Sequence, residues 1–179
     1  MATTNWAVDP MHSEIHFKVR HLVISTVTGT FKKFSGTAVT EGEGFENAAI
    51  EFTLDVNSID TNQEQRDGHL KSGDFFDVEK YPEIKFVSTS FTKVDDDNFK
   101  LVGDLTMKGV TKPVELNAEF GGSAKDAWGN TKYGFEVTGK INRKEFGLTY
   151  NALTETGGLA LGEDIKFTAN IQVAQAQLA

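Results

Sequence analysis

The side chains best suited to chemistry crowd into one stretch, Asn57 to Pro82, NSIDTNQEQRDGHLKSGDFFDVEKYP. Arg66, His69 and Lys71 fall within two turns of a predicted helix and are set to meet an anionic or polar headgroup, with the helix N-terminus adding to the anion site. His69 with Asp67 or Asp74 has the residue types for general acid–base work. A structural alternative stands beside both: Arg66, Asp67, Asp74 and Asp77 pair among themselves and anchor the segment. The pair Phe75-Phe76, of a type normally buried, sits among these charges. That mixture predicts a short helical cap over the mouth of something hollow rather than a solvated loop.

Other candidates are weaker. Arg143 is a second headgroup cation or, with Glu145, a structural residue near Phe146-Gly147. His12, Glu14 and His16 are placed on one strand face, where His12 and His16 stand about 13 Å apart at ~3.3 Å per residue. They cannot share one ion unaided, so no metal is expected. His12 is expected to hydrogen-bond within the cluster Asp9…His12-Ser13. Asp9, His12 and Ser13 are triad types, but neighbours on a strand point to opposite faces, so His12 cannot serve Ser13 as base. No nucleophile elbow, phosphate loop or His-Glu-x-x-His occurs, and there is no cysteine. These observations favour a non-enzymatic protein with no catalytic residue and no cofactor.

A length of 179 residues fits one domain spanning residues 1–179 with a sizeable core. The formal net charge of -8 argues against nucleic acid and against an anionic membrane surface. No apolar run approaches the ~18 residues of a transmembrane helix. The start, MATTNWAVDP, has no basic n-region and no apolar h-region. The chain is therefore expected to be soluble and cytoplasmic, or periplasmic if a signal peptide has been removed. Aromatic usage is dominated by Phe, 14 against three Tyr and two Trp; phenyl rings need no hydrogen-bond partner and suit an apolar lining.

The dominant sequence period is two. Ile15, Phe17 and Val19 alternate with Glu14, His16, Lys18 and Arg20. Leu22 to Val27 breaks the pattern and reads as a turn or short helical piece. Gly29 to Val39 reads as a strand that changes face between Phe31 and Phe34, at a bulge. After the turn Glu41–Gly44, the run Ile50, Phe52, Leu54, Val56 gives the cleanest strand. A helix from about Gln63 to Lys71 follows, capped by Thr61 or Asn62 and stopped at Gly73. Strands are expected again over Ile84–Phe91, Phe99–Met107, Val114–Phe120, Tyr133–Ile141 and Ile165–Val173. The intervening turns are Asp95–Asn98, Lys108–Pro113 and Gly121–Asn130. Asn142–Glu163 is mixed and Ala174–Ala179 is expected to fray. About eight strands with one helix read as an antiparallel sandwich or closed barrel. Eight strands enclose an interior that is either filled by side chains or holds one small ligand. Gly103 and Gly139, on apolar faces, mark either bends or places where the lining stays thin.

The blocks Asp9-Pro-Met-His12-Ser13, Gly29-Thr-Phe31 through Phe34-Ser-Gly36, Ser58-Ile-Asp60-Thr61, Arg66 to Asp77, Tyr81-Pro82, Gly103 to Val114 and Asn142 to Gly147 occur in order. Together they resemble the YceI-like family of lipocalin-like polyisoprenoid-binding proteins over most of the chain. The resemblance implies an all-β, antiparallel eight-stranded lipocalin-like barrel with one short helical cap. It also implies a long-chain amphiphile in the interior: a polyisoprenoid, an isoprenoid quinone or a fatty-acid-like lipid, sequestered or transported. Family members that carry a signal peptide are periplasmic, and this chain departs from them there. The apolar lining is then expected from Ile15, Phe17, Val19, Phe31, Phe52, Leu54, Phe75, Phe76, Phe86, Leu105, Phe135, Ile141 and Phe167. Arg66, His69 and Arg143 are the headgroup candidates. Two alternatives remain open: an enzyme acting on a lipid headgroup, and a stress-response scaffold with a filled core. A homodimer is compatible with the sequence, which does not specify one.

Overall fold

A computed structural model describes residues 3–21, 25–42, 44–148 and 161–175. Among the described residues eleven strands run in chain order: β1 (Thr3–Val8), β2 (Glu14–His21), β3 (Ser25–Phe31), β4 (Phe34–Glu41), β5 (Ala49–Asp55), β6 (Ile59–Asp60), β7 (Glu83–Lys93), β8 (Asn98–Met107), β9 (Val110–Lys125), β10 (Thr131–Asn142) and β11 (Leu161–Gln175). All pairings are antiparallel, and the sheet closes where β1 meets β11. One helix, α1 (Glu64–Lys71), lies between β6 and β7.

Eleven segments make an eight-staved barrel because three staves are broken. The long β11 pairs with β2 over its first part and with β1 at its end, so β1 and β2 form one stave. In the same way β3 continues into β4 and β5 into β6. Eleven minus three breaks is the eight that the sequence period predicts.

Two of the breaks coincide and are stitched together. Ser58 Oγ donates to Asp55 O at 2.6 Å, and Lys33 N–H donates to Ser58 Oγ at 3.0 Å. Asp55 N–H donates to Lys33 O at 2.9 Å. The short connection Lys32-Lys33 sets both Phe31 and Phe34 against the core. On an unbroken strand those two residues would face opposite ways.

Several local expectations are corrected. Leu22–Val27 is not a turn throughout: Ser25 to Val27 belong to β3, while Leu22 to Ile24 lie outside the described residues. The turn expected over Lys108–Pro113 is only Lys108-Gly109, both at positive φ, 51° and 76°. That is the geometry of a two-residue hairpin, and Pro113 therefore sits inside β9. Residues 110–116 pair with β8 alone, which makes this half of β9 an edge where proline is tolerated. β9 also runs on to Lys125, through the first half of the loop expected over Gly121–Asn130. Ala174 and Gln175 are paired with β1 and not frayed. Of the mixed segment, Arg143–Phe146 forms a single 3-10 turn, and 149–160 lie outside the described residues. The strand Thr3–Val8 carries little sequence signal because only Trp6 and Val8, at its end, are large and apolar.

Candidate ligand-binding site

The barrel is hollow. A cavity of about 500 Å³ runs inside it, within the range of small-molecule sites and incompatible with the filled core held open above. All the residues expected in the apolar lining are on its wall: Ile15, Phe17, Val19, Phe31, Phe52, Leu54, Phe75, Phe76, Phe86, Leu105, Phe135, Ile141 and Phe167. Arg66, His69 and Arg143 also line it. Phe45 lines the cavity as well, although it lies in a turn and belongs to no periodic strand that would mark it.

Phe rings and glycines share the wall. Phe17 is paired directly across from Gly29, and Phe52 from Gly36. A Cβ on Gly29 would lie 2.3 Å from the Phe17 ring, and one on Gly36 would lie 2.5 Å from the Phe52 ring. At Gly103 the Phe86 ring would be 2.4 Å away. Each ring therefore lies over bare backbone of the neighbouring stave, which keeps it close to the wall. Gly103 and Gly139 are each covered by a Phe ring of the neighbouring stave, and Gly103 also stands opposite the register shift between Ser88 and Ser90 of β7, where the strand bends.

At one end, the charged stretch Asn57 to Pro82 forms the cap. Its helix is not capped by Thr61 or Asn62: the N-cap is Gln63, without a side-chain bond. The helix stops at Lys71 with Ser72 as C-cap, ahead of Gly73. Thr61 instead acts as an anchor. It is buried, and its backbone N–H donates to Asp67 Oδ1 at 2.9 Å, as does its hydroxyl. Arg66 donates from Nε to Thr61 Oγ1 at 2.8 Å and from Nη2 to Thr61 O at 2.7 Å. The charges do fix the cap, but through Thr61 rather than by pairing with one another. No residue of α1 is fully buried; the partly buried Leu70 packs on the core, and that contact, these bonds and the Phe75-Phe76 anchor hold it.

His69 Nε2 and Asp74 Oδ2 are 2.8 Å apart, and the His69 ring meets Phe75 edge-on at 5.1 Å. Asp74 thus orients the imidazole at the rim. Asp77 contributes backbone, its N–H donating to Ser72 O at 2.9 Å. Lys71 does not line the cavity; it borders a separate surface groove with Lys32, Asp60 and Glu64.

Arg143 enters this end from the turn after β10 and is only 3% exposed. Its Nε donates to Gly162 O at 2.8 Å and its Nη1 to Leu148 O at 2.6 Å. Burial lowers its pKa, and the nearby Glu163 carboxylate acts in the opposite direction. A guanidinium stays charged under such a shift, so a buried positive charge faces the cavity.

His12 is not on the strand face with Glu14 and His16. It sits in the connection before β2, where its Nδ1 is 2.7 Å from Asp9 Oδ2. Asp9 also meets Lys132 Nζ, and Ser13 Oγ accepts from Gln172 N–H at 2.9 Å. This cluster ties the break between β1 and β2 to β10 and β11.

Comparison with known proteins gives one family. The profile of the YceI-like domain matches residues 6–173. A UPF0312 protein of Staphylococcus aureus (strain USA300) is 39% identical over 170 residues, covering 94% of this chain and 96% of that protein. The crystal structure of Burkholderia cenocepacia BcnA superposes with a TM-score of 0.80 at 21% identity, over 93% of this chain and 99% of that one. A domain from Saccharophagus degradans, described as polyisoprenoid binding, superposes with a TM-score of 0.67 at 16% identity, over 96% and 98%. At these identities the two structures speak to the fold.

Proposed function

The chain belongs to the YceI-like family, and from that membership we propose that it binds one long-chain amphiphilic lipid inside the barrel, as a carrier or sequestering protein and not as an enzyme. The ligand class is a polyisoprenoid, an isoprenoid quinone or a fatty-acid-like chain. The observation that carries this reading is an apolar cavity of about 500 Å³ with three basic side chains, Arg66, His69 and Arg143, at one end. The tail supplies the affinity at about 0.8 kcal/mol per buried CH₂. The cations orient a polar or anionic head, with charge-assisted hydrogen bonds favoured where water is thin. The Saccharophagus degradans domain described as polyisoprenoid binding supports the ligand class. Among the described residues no helix is long and apolar enough to cross a membrane.

The test is native mass spectrometry of gently purified protein, followed by solvent extraction. A bound lipid mass is expected. Folded protein that arrives empty and takes up neither prenyl nor acyl chains would reject the proposal. The headgroup-enzyme alternative rests on the His69–Asp74 pair at the rim. It requires turnover that His69→Ala removes while lipid uptake persists.

A further inference from the structure

The end of the cavity opposite α1 is built differently. There the connection between β4 and β5 folds inward and delivers Phe45. Its shape is fixed by Ala48 N–H donating to Phe45 O at 3.0 Å and Asn47 N–H donating to Phe91 O at 2.8 Å. The Phe45 ring lies 5.1 Å from Phe135, 5.2 Å from Tyr133 and 5.0 Å from Trp6. Phe135 in turn meets Phe91 at 6.4 Å and Phe120 at 5.3 Å. Phe45, Phe91 and Phe135 line the cavity, whereas Trp6, Tyr133 and Phe120 stand behind them.

The two ends are therefore unequal. One is covered by a short helix that sets Arg66, His69 and the partly buried Leu70 against the cavity; the other is closed by interlocked rings. We infer that Phe45, Phe91 and Phe135 form the floor of a blind tube, so that the lipid enters tail-first past α1 and the floor sets the longest tail that fits. This inference rests on the lipid-binding reading and adds a direction of entry and a length limit to it. At about 30 Å³ for each water-sized group, the cavity takes roughly 15–20 non-hydrogen atoms. That spans prenyl tails from farnesol up to geranylgeraniol as the upper limit, and falls well short of solanesol.

Affinities are measured for farnesol, geranylgeraniol and solanesol by competition against a fluorescent geranylgeranyl analogue. The wild-type protein is expected to prefer geranylgeraniol to solanesol by at least tenfold. Phe45→Ala opens the floor and is expected to bring solanesol to within threefold of geranylgeraniol. Should Phe45→Ala melt too early to use, Phe135→Leu is measured in the same way with the same expectation. Equal wild-type affinity for the two long alcohols, or an unchanged ratio in a folded floor variant, overturns the floor while leaving lipid binding intact. Failure of all three alcohols and of acyl chains to bind would instead strike the underlying reading and take the floor with it.

Discussion

Gly139 on β10 is paired directly across from Phe167 on β11, and the Phe167 ring occupies the space a side chain at 139 would need. A Cβ there would lie 2.7 and 2.9 Å from two ring atoms and 2.5 Å from Leu116. The ring can lie along the wall because the residue opposite has no side chain. Gly139→Ala is expected to drive Phe167 or Leu116 toward the lumen at a cost of about 1–3 kcal/mol, the usual range for overpacking. Calorimetric melting reads the destabilisation, and equilibrium uptake of a prenyl alcohol reads the narrowed tube. Unchanged stability and unchanged uptake would mean that the wall yields outward instead.

Removing the buried cation has two effects that can be separated. Arg143→Met strands the carbonyls of Gly162 and Leu148, which Arg143 now satisfies. Buried unsatisfied acceptors cost about 1–3 kcal/mol each, so a loss of roughly 2–6 kcal/mol is expected in urea denaturation. Arg143→Lys keeps the charge but not the fork of donors. It is expected to recover affinity for an anionic head better than it recovers stability. Equal recovery of both would assign Arg143 a purely structural role.

Thr61 is the hinge on which α1 hangs. Thr61→Val keeps the shape and removes the hydroxyl that Asp67 and Arg66 both use. Losing bonds to charged partners costs about 1.5–3 kcal/mol, and here the cost falls on local opening of the helix. Amide exchange over Glu64–Lys71 should quicken at least tenfold, while the strands keep their protection. Bound lipid should leave faster by a similar factor. Exchange that accelerates across the whole barrel would show that Thr61 supports global stability and not the cap.

Acid should expose the tie between the broken first stave and β10. Lys132 and, after it, His12 hold the Asp9 carboxyl down to about 2 from an ordinary 3.8. A depressed folded-state pKa favours the folded form wherever the unfolded chain would bind the proton more tightly. The contribution is thus full above about pH 4 and is lost as the pH falls through about 2. The melting-temperature difference between wild type and Lys132→Met is therefore expected to be largest above about pH 4 and to shrink toward pH 2. A difference that stays constant over that window would contradict the assignment.

Period-two alternation decided most of this protein. It fixed which faces of β2, β5, β7, β8, β10 and β11 turn inward, because successive side chains on a strand must point opposite ways. The apolar residues expected on those strands are found on the cavity wall for that reason, whereas Phe31 reaches it beside a strand break and Phe75 and Phe76 reach it from the cap. The dense run of charges around Phe75-Phe76 likewise announced a cap without its fold. What the sequence left open was decided by contacts between residues distant along the chain. Whether alternate Phe rings meet in the middle or lie back depends on which residue stands opposite each one, and that is a matter of strand register. The partner of Arg66 and Asp67 is Thr61, a polar residue with no charge to mark it. Phe45 belongs to no periodic pattern and gains its place only when its loop folds across the rim onto Trp6, Tyr133 and Phe135. The breaks that turn eleven segments into eight staves likewise appear only once β11 is long enough to pair with both β1 and β2.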